Sequence, residues 1–170
     1  NALAAIVIAD QYKLDLLRTY RLLHQFSGTG RRFDLHGTYN DITLVDDYAH
    51  HPTEIKTTLQ AAKDKFPSKN IWVVWQPHTF SRTMTLLDQF AHSFDQADHL
   101  IISEIFASRE SNGEISGSSL AKQIIHPDVK FIASIQDITT YLTNQLKPDD
   151  VLIVLSAGDA DQINQNLSIA

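Results

Sequence analysis

The sequence predicts an α/β fold: a Rossmann-like, mostly parallel sheet with helices on both faces and an N-terminal antiparallel hairpin, preceded by helices of an upstream domain. Two observations carry this reading. From position 47 onward the chain repeats the rhythm strand, turn, helix, which implies right-handed crossovers between parallel strands. The runs IWVVW (71–75) and VLIVL (151–155) are apolar without interruption, as strands covered on both faces must be.

Residues 1–26 read as two helices, NALAAIVIADQY and LDLLRTYRLLHQF, the second with Leu16, Tyr20, Leu23 and Phe26 at helical spacing. The first starts inside a good helix pattern without an initiator methionine, so the chain reads as a piece of a longer one. Ser27, Gly28, Thr29 and Gly30 break the pattern, which places a domain boundary there: 1–26 as an upstream tail, 27–170 as the main domain. FDLHGTYNDITLVDD alternates apolar and polar residues around Asn40-Asp41, a hairpin signature. Ile55, Leu59, Ala62 and Phe66 then line one helical face that stops at Pro67. After the strand at 71–75, Thr83, Leu87, Phe90, Ala91 and Phe94 supply the next helical face. A strand HLIIS (99–103), a polar loop (104–116), a helix over 118–125 and a strand KFIAS (130–134) follow. A helix over 135–145, the strand at 151–155 and a last helix after Gly158 complete the chain. Trp72 and Trp75 are assigned to the core.

With 43% hydrophobic and 20% charged residues among 170, the chain has the composition of one soluble domain with a short appendage. No apolar run approaches the roughly 18 residues that cross a bilayer, and no signal-peptide pattern is present, so a cytoplasmic location and no membrane partner are expected. The absence of cysteine excludes disulfides, thiolate metal sites and cysteine nucleophiles. A formal net charge of -6 argues against nucleic-acid binding, although eight histidines make that figure pH-sensitive.

Open parallel sheets bind ligands beyond the carboxyl ends of their strands. The segments directly after the four main apolar runs are DDYAHHPTE, QPHTFSR, EIFASRE and SAGDAD, all polar. In the first, His50, His51 and Glu54 could ligate a metal, yet adjacent histidines usually point apart and the HExxH spacing is missing. A solvated turn explains Pro52 and Glu54 as the start of a helix, but not Asp46, Asp47 or the histidine pair. In the second, Ser81 is a candidate N-cap, and a helix N-terminus beside Arg82 and His78 would make an anion receptor. Arg31 and Arg32 read equally well as solvated charge or as ligand contacts. Gly158 fits a strand-to-helix turn, and no G-x-x-x-x-G-K-[ST] sequence is available to cradle a triphosphate.

Taken in order, NALAA, GTGRRFD, VDDYAHHPTE, QPHTFSRT and the terminal AGD resemble the C-terminal part of the Mur ligases, across essentially the whole chain. The likeness is strongest to the alanine-adding branch. The neighbouring murein peptide ligase branch shares the Asp-Asp-aromatic-Ala-His-His pattern but differs at QPHTFSR. The resemblance implies a parent of three domains: a UDP-sugar-binding domain, a P-loop ATPase domain, and this amino-acid-binding domain. It implies amide synthesis in peptidoglycan precursor formation, in which ATP phosphorylates the carboxylate of UDP-N-acetylmuramate and the amine of L-alanine attacks the acyl phosphate. ATP and Mg2+ would act in the full-length enzyme, held mainly outside this part. Residues 1–26 would be the tail of the ATPase domain.

By position, the resemblance places Arg32 and Asp47 on ATP, the aspartate toward the ribose. It places Tyr48, His50 and His51 on the wall of the amino-acid and acyl-phosphate site, and His78 and Arg82 on the alanine carboxylate. Thr79 stands where such ligases often carry arginine, which shifts the carboxylate contact to Arg82. Phe106, Ala107, Ser108 and Arg109 match the loop that shapes amino-acid selectivity, and Gly158 and Asp159 the glycine turn beside the same site. No nucleophile is required in this part, because the amine attacks. Two other readings stay open: a metal-dependent hydrolase using His50, His51, Glu54 and His78, and a flavodoxin-like binding module.

Overall fold

The computed structural model describes residues 2–26, 29–111 and 113–169. Ser27 and Gly28 of the expected junction lie outside the described residues. The chain divides into two compact units, Asn1–Gly30 and Arg31–Ala170, four residues beyond the boundary expected from the sequence.

In the first unit, α1 (Ala2–Gln11) and α2 (Leu16–Gln25) follow the helical spacing. Asp15 caps α2 by accepting the N–H groups of Leu17 (2.9 Å) and Arg18 (3.1 Å).

The second unit is built on a six-stranded sheet. Its hairpin joins β1 (Asp34–Tyr39) to β2 (Ile42–Asp47), with Asn40 and Asp41 both at positive φ, as a two-residue turn of this twist requires. The remaining strands are β3 (Ile71–Gln76), β4 (His99–Ile102), β5 (Val129–Phe131) and β6 (Val151–Ser156). Spatial order is β1-β2-β6-β3-β4-β5, antiparallel only at the hairpin. The last strand is thus inserted between β2 and β3, which brings the ends of strands distant in sequence side by side.

Period-2 alternation sorts the strand residues onto two faces. Val45, Val73, Trp75, Ile102 and Ile153 pack on one side against Ile55, Leu59 and Ala62 of α3 (Pro52–Lys65), Phe90 of α5 (Leu87–Ala91) and Leu120 of α6 (Gly117–Ala121). Leu44, Trp72, Val74, Ile101 and Val154 pack on the other against Ile138 and Leu142 of α7 (Ile135–Gln145) and Ile163 and Leu167 of α8 (Gln162–Ile169). Each such aliphatic side chain stabilises the fold by about 1.5–3 kcal/mol. The doubly covered sheet and the core placement of both tryptophans agree with the sequence reading.

Several boundaries differ. The helical face expected from Thr83 to Phe94 is divided between two helices, α4 (Phe80–Thr85) and α5, broken at Leu86, with Phe94 beyond the end of α5. The break lets the consecutive Leu86 and Leu87 both pack on one core, where a continuous helix would turn them about 100° apart. The helix expected over 118–125 covers only α6, and Ile125 is exposed. Strand β5 ends at Phe131 because Ser134 instead caps α7, its hydroxyl accepting the N–H of Asp137.

Candidate active site

Strand β2 delivers two buried carboxylates with different surroundings. Asp47 accepts the N–H of Ala49 on one oxygen and that of Phe33 on the other, both at 2.8 Å, and so fixes the turn that follows. Asp46 faces away. Its partners are His36 Nε2 at 2.7 Å, at the bulge in β1, and Asn164 Nδ2 at 2.6 Å. Burial pushes the Asp46 carboxyl up to about 6, against the opposing pull of His36 and Asn164.

Beyond Asp47 the histidines part, as adjacent residues on an extended backbone do. His50 Nδ1 lies 2.8 Å from the Tyr48 carbonyl, which can only accept, so Nδ1 donates there and Nε2 is left facing outward from that contact. His51 turns the other way and caps α3, its Nδ1 accepting the N–H of Thr53 at 3.3 Å. Glu54 completes the capping box by accepting the N–H groups of His50 and His51. Pro52 and Glu54 therefore start α3, as the sequence suggests.

At the end of β3, His78 sits 5.9 Å from His50 between ring centroids and stacks on Phe106 at 5.7 Å. Arg82 Nη1 approaches His78 Nδ1 at 3.4 Å. Partial burial, Arg82 and His50 all hold His78 below the ordinary histidine range, with Glu110 opposing, so the ring stays neutral. Tyr48 lies edge-on to His50 at 5.2 Å, with the guanidinium groups of Arg31 and Arg32 at 5.2 and 5.3 Å from its ring. Tyr48, His50, His78, Arg82 and Phe106 thus form one continuous wall across the ends of β2, β3 and β4.

Strand β6 closes the site. Gln76 Oε1 accepts the Ser156 hydroxyl (2.7 Å) and the N–H groups of Asp159 (3.1 Å) and Ala160 (3.2 Å), while its Nε2 donates to Asp159 Oδ1 (2.8 Å). Gly158 is seated so closely that a Cβ there would stand 2.5 Å from Gln76 Oε1 and 2.6 Å from Phe106. Arg31 clamps the same turn by donating to the carbonyls of Ser156 (2.6 Å) and Gly158 (3.2 Å).

Two expectations are corrected. Ser81 is not an N-cap: α4 starts at Phe80 after Thr79, and Thr79 makes no side-chain cap bond. Nor are the first amides of α4 open to a ligand anion. The Glu110 carboxylate accepts the N–H groups of Phe80 (2.6 Å) and Ser81 (3.1 Å) together with the Ser81 hydroxyl. Beside this wall, Arg32 and Asp47 line a cavity of about 250 Å³ with Thr53, Glu54, Thr57 and Thr58. Ser108 stands on the exposed loop at φ 55, outside the wall's contacts. Among the described residues no three histidine, aspartate or glutamate side chains converge as metal donors.

The family model "Mur ligase, glutamate ligase domain" matches residues 31–158. The chain belongs to the Mur ligases. It is 46% identical to a UDP-N-acetylmuramate–L-alanine ligase of Desulfitobacterium hafniense, over 98% of this chain and 38% of that protein. Among solved structures, it resembles a UDP-N-acetylmuramate-alanine ligase from Thermotoga maritima, with TM-score 0.81 and 26% identity over 99% of this chain and 36% of that one. It also resembles a murein peptide ligase from Psychrobacter arcticus, with TM-score 0.69 and 28% identity over 99% of this chain and 35% of that one. The chain spans little more than a third of the length of the curated relatives it matches. No described helix is long and apolar enough to cross a membrane.

For this Mur ligase domain, sequence reasoning missed Gln76 and Glu110 and left Arg31 undecided. Gln76 stands in the QPH motif, and a polar residue directly after the continuous apolar run IWVVW was the available signal. Glu110 carries no local signal, because the groups it holds lie about thirty positions away.

Proposed function

We propose that this chain is the C-terminal, acceptor-binding part of an ATP-dependent ligase that joins L-alanine to UDP-N-acetylmuramate in peptidoglycan precursor synthesis. The observation that carries the reading is the pairing, on one wall, of the His50 imidazole, oriented by the Tyr48 carbonyl, with an arginine and a neutral imidazole at Arg82 and His78. A zwitterionic amino acid needs both halves. Its carboxylate calls for a cation and an N–H donor, and its ammonium must give up a proton before the nitrogen can attack a carbonyl. Family membership and the stronger likeness to alanine-adding relatives than to the murein peptide ligase support alanine as the acceptor.

In this reading Arg82 and His78 take the alanine carboxylate. His50 Nε2 faces the amine, and Tyr48, Phe106 and the Gly158-Asp159 turn restrict the space around the side chain. His51 contributes through the cap of α3, which orients the loop, and Ser108 through the shape of the loop before Glu110. Arg32 and Asp47 address the nucleotide through the cavity they share: the arginine suits its anionic or planar groups. Both Asp47 oxygens already accept backbone N–H groups, and each keeps a second lone pair for a ribose hydroxyl. Residues 1–26 are the tail of the ATPase domain, and domain closure would exclude water from the acyl phosphate. In the same reading magnesium and the phosphates are held mainly by the other domains of the parent.

The test is made on the full-length parent, following ATP-dependent conversion of UDP-N-acetylmuramate and labelled L-alanine. Arg82→Ala should raise the alanine KM tenfold or more with the ATP KM unchanged, about 1.4 kcal/mol of binding. An Arg82→Ala enzyme with an unaltered alanine KM, or ligase activity from residues 1–170 alone, would falsify the assignment.

A further inference from the structure

We infer that Glu110 is a positioning residue: its carboxylate latches the loop after β3 in the conformation that presents His78 and Arg82 to the amino acid. The inference rests on the functional reading just given. Between His78 and α4, Thr79 adopts φ 65 and ψ 141, a region that suits glycine and that a β-branched residue enters only under constraint. Nothing on Thr79's own side chain supplies that constraint, since it makes no cap hydrogen bond. The constraint comes from the loop after β4.

Phe106 N–H donates to the Pro77 carbonyl (2.8 Å), and Thr79 N–H donates to the Phe106 carbonyl (2.9 Å). Four residues on, the Glu110 N–H folds back onto the Ala107 carbonyl (3.0 Å) in a turn that contains Ser108 at positive φ. That turn aims the Glu110 carboxylate at the Phe80 N–H, the Ser81 N–H and the Ser81 hydroxyl. Glu110 therefore fixes the first turn of α4 from outside, and Arg82 stands on that turn. His78 lies immediately before the strained residue. If the latch is released, Thr79 relaxes toward an ordinary backbone conformation, and both acceptor contacts move together.

The Ser81 hydroxyl, then the Ser81 and Phe80 amides, hold the Glu110 carboxyl below its ordinary range, so the latch stays charged at neutral pH. It sits at the surface and supports no part of the apolar core, which separates its effect on the site from an effect on folding.

The experiment uses the full-length ligase with Glu110→Ala, Glu110→Ala combined with Thr79→Gly, and Glu114→Ala as a surface control from the same loop. Glu110→Ala should raise the alanine KM about tenfold, with kcat within about twofold and the ATP KM unchanged. Glycine is at ease in the strained conformation, so adding Thr79→Gly should recover at least about threefold of that loss. Glu114→Ala should match the parent. An unchanged alanine KM overturns the latch. So does a lowered one, which would make Glu110 an internal competitor for the acceptor anion. A parallel rise in the ATP KM, or no recovery with Thr79→Gly, overturns it as well. A parent enzyme that does not use L-alanine at all overturns the functional reading and this inference with it, whereas an active parent with an indifferent Glu110→Ala overturns the latch alone.

Discussion

The loops after β2 and after β3 contribute to the same wall and are held in opposite ways. The β2 loop is held mostly by near neighbours, with Phe33 fourteen residues back the main exception. Asp47 reaches two residues ahead to Ala49, His50 reaches back to Tyr48, and Glu54 and His51 close a capping box over four residues. The β3 loop is organised from afar, by Glu110 about thirty residues on and by a Gln76 network that spans more than eighty. Short-range bonds re-form independently of one another, while long-range ones depend on the whole sheet being in register. The β3 side should therefore be the more fragile half.

The largest break expected is at Gln76. Gln76→Leu keeps the volume but removes the acceptor for the Ser156 hydroxyl and for the Asp159 and Ala160 amides, in a site only 5% exposed. Three orphaned donors should cost on the order of 4 kcal/mol in urea unfolding of the chain. A loss below about 1 kcal/mol would mean that the network is not what holds the β6 turn. Next is Gly158→Ala. The new methyl would meet both Gln76 Oε1 and the Phe106 ring, so overpacking should cost about 2–3 kcal/mol. In the full-length enzyme alanine KM should rise while ATP KM holds. Wild-type kinetics in that variant would show the turn to be free to shift.

This contrast also explains what the sequence could reveal. The hairpin at Asn40-Asp41, the cap at Pro52-Glu54, the buried runs of β3 and β6 and the helix over Ile135–Gln145 all depend on neighbours within a few positions, and all were legible. The positions of Tyr48, His50, His78 and Arg82 beyond strand ends were legible because they follow apolar runs in a parallel sheet. What stayed hidden was the work done across the sheet. The roles of Arg31 on the β6 turn and of Asn164 on Asp46 follow from the β2-β6 neighbourhood and that of Glu110 on α4 from the β3-β4 neighbourhood, and periodicity does not encode strand order. The break at Leu86 was hidden for a related reason, since two consecutive leucines share a core that only the tertiary structure defines.

Asp46 tests the long-range side by pH. Its carboxyl rises from 3.8 to about 6 on folding, so the folded chain holds the proton more tightly, and stability falls as pH climbs from about 4 through 6. Above that window the buried charge persists as a cost, and Asp46→Asn removes it while keeping an acceptor for Asn164. The variant should be more stable than the parent at pH 8 by on the order of 2 kcal/mol. The gap should narrow toward pH 4. A destabilised variant at pH 8 would show that the His36 pairing outweighs burial.

The smallest effect is expected on the local side, at Glu54. Burial disfavours its charge, but the N–H groups of His50 and His51 and the His50 ring outweigh burial and hold the carboxyl below its ordinary 4.5. The contribution to stability is therefore present above that value and fades as pH drops through the lower folded-state one. With a side chain 39% exposed, removal of the capping box by Glu54→Ala should cost about 1 kcal/mol at pH 7, shrinking below pH 4. Asp47 and the Pro52 ring would still set the turn, so the alanine KM of the full-length enzyme should shift by less than about twofold. Were Glu54→Ala to damage alanine binding as severely as Glu110→Ala, the division between a mostly locally built and a remotely built half of the wall would fail.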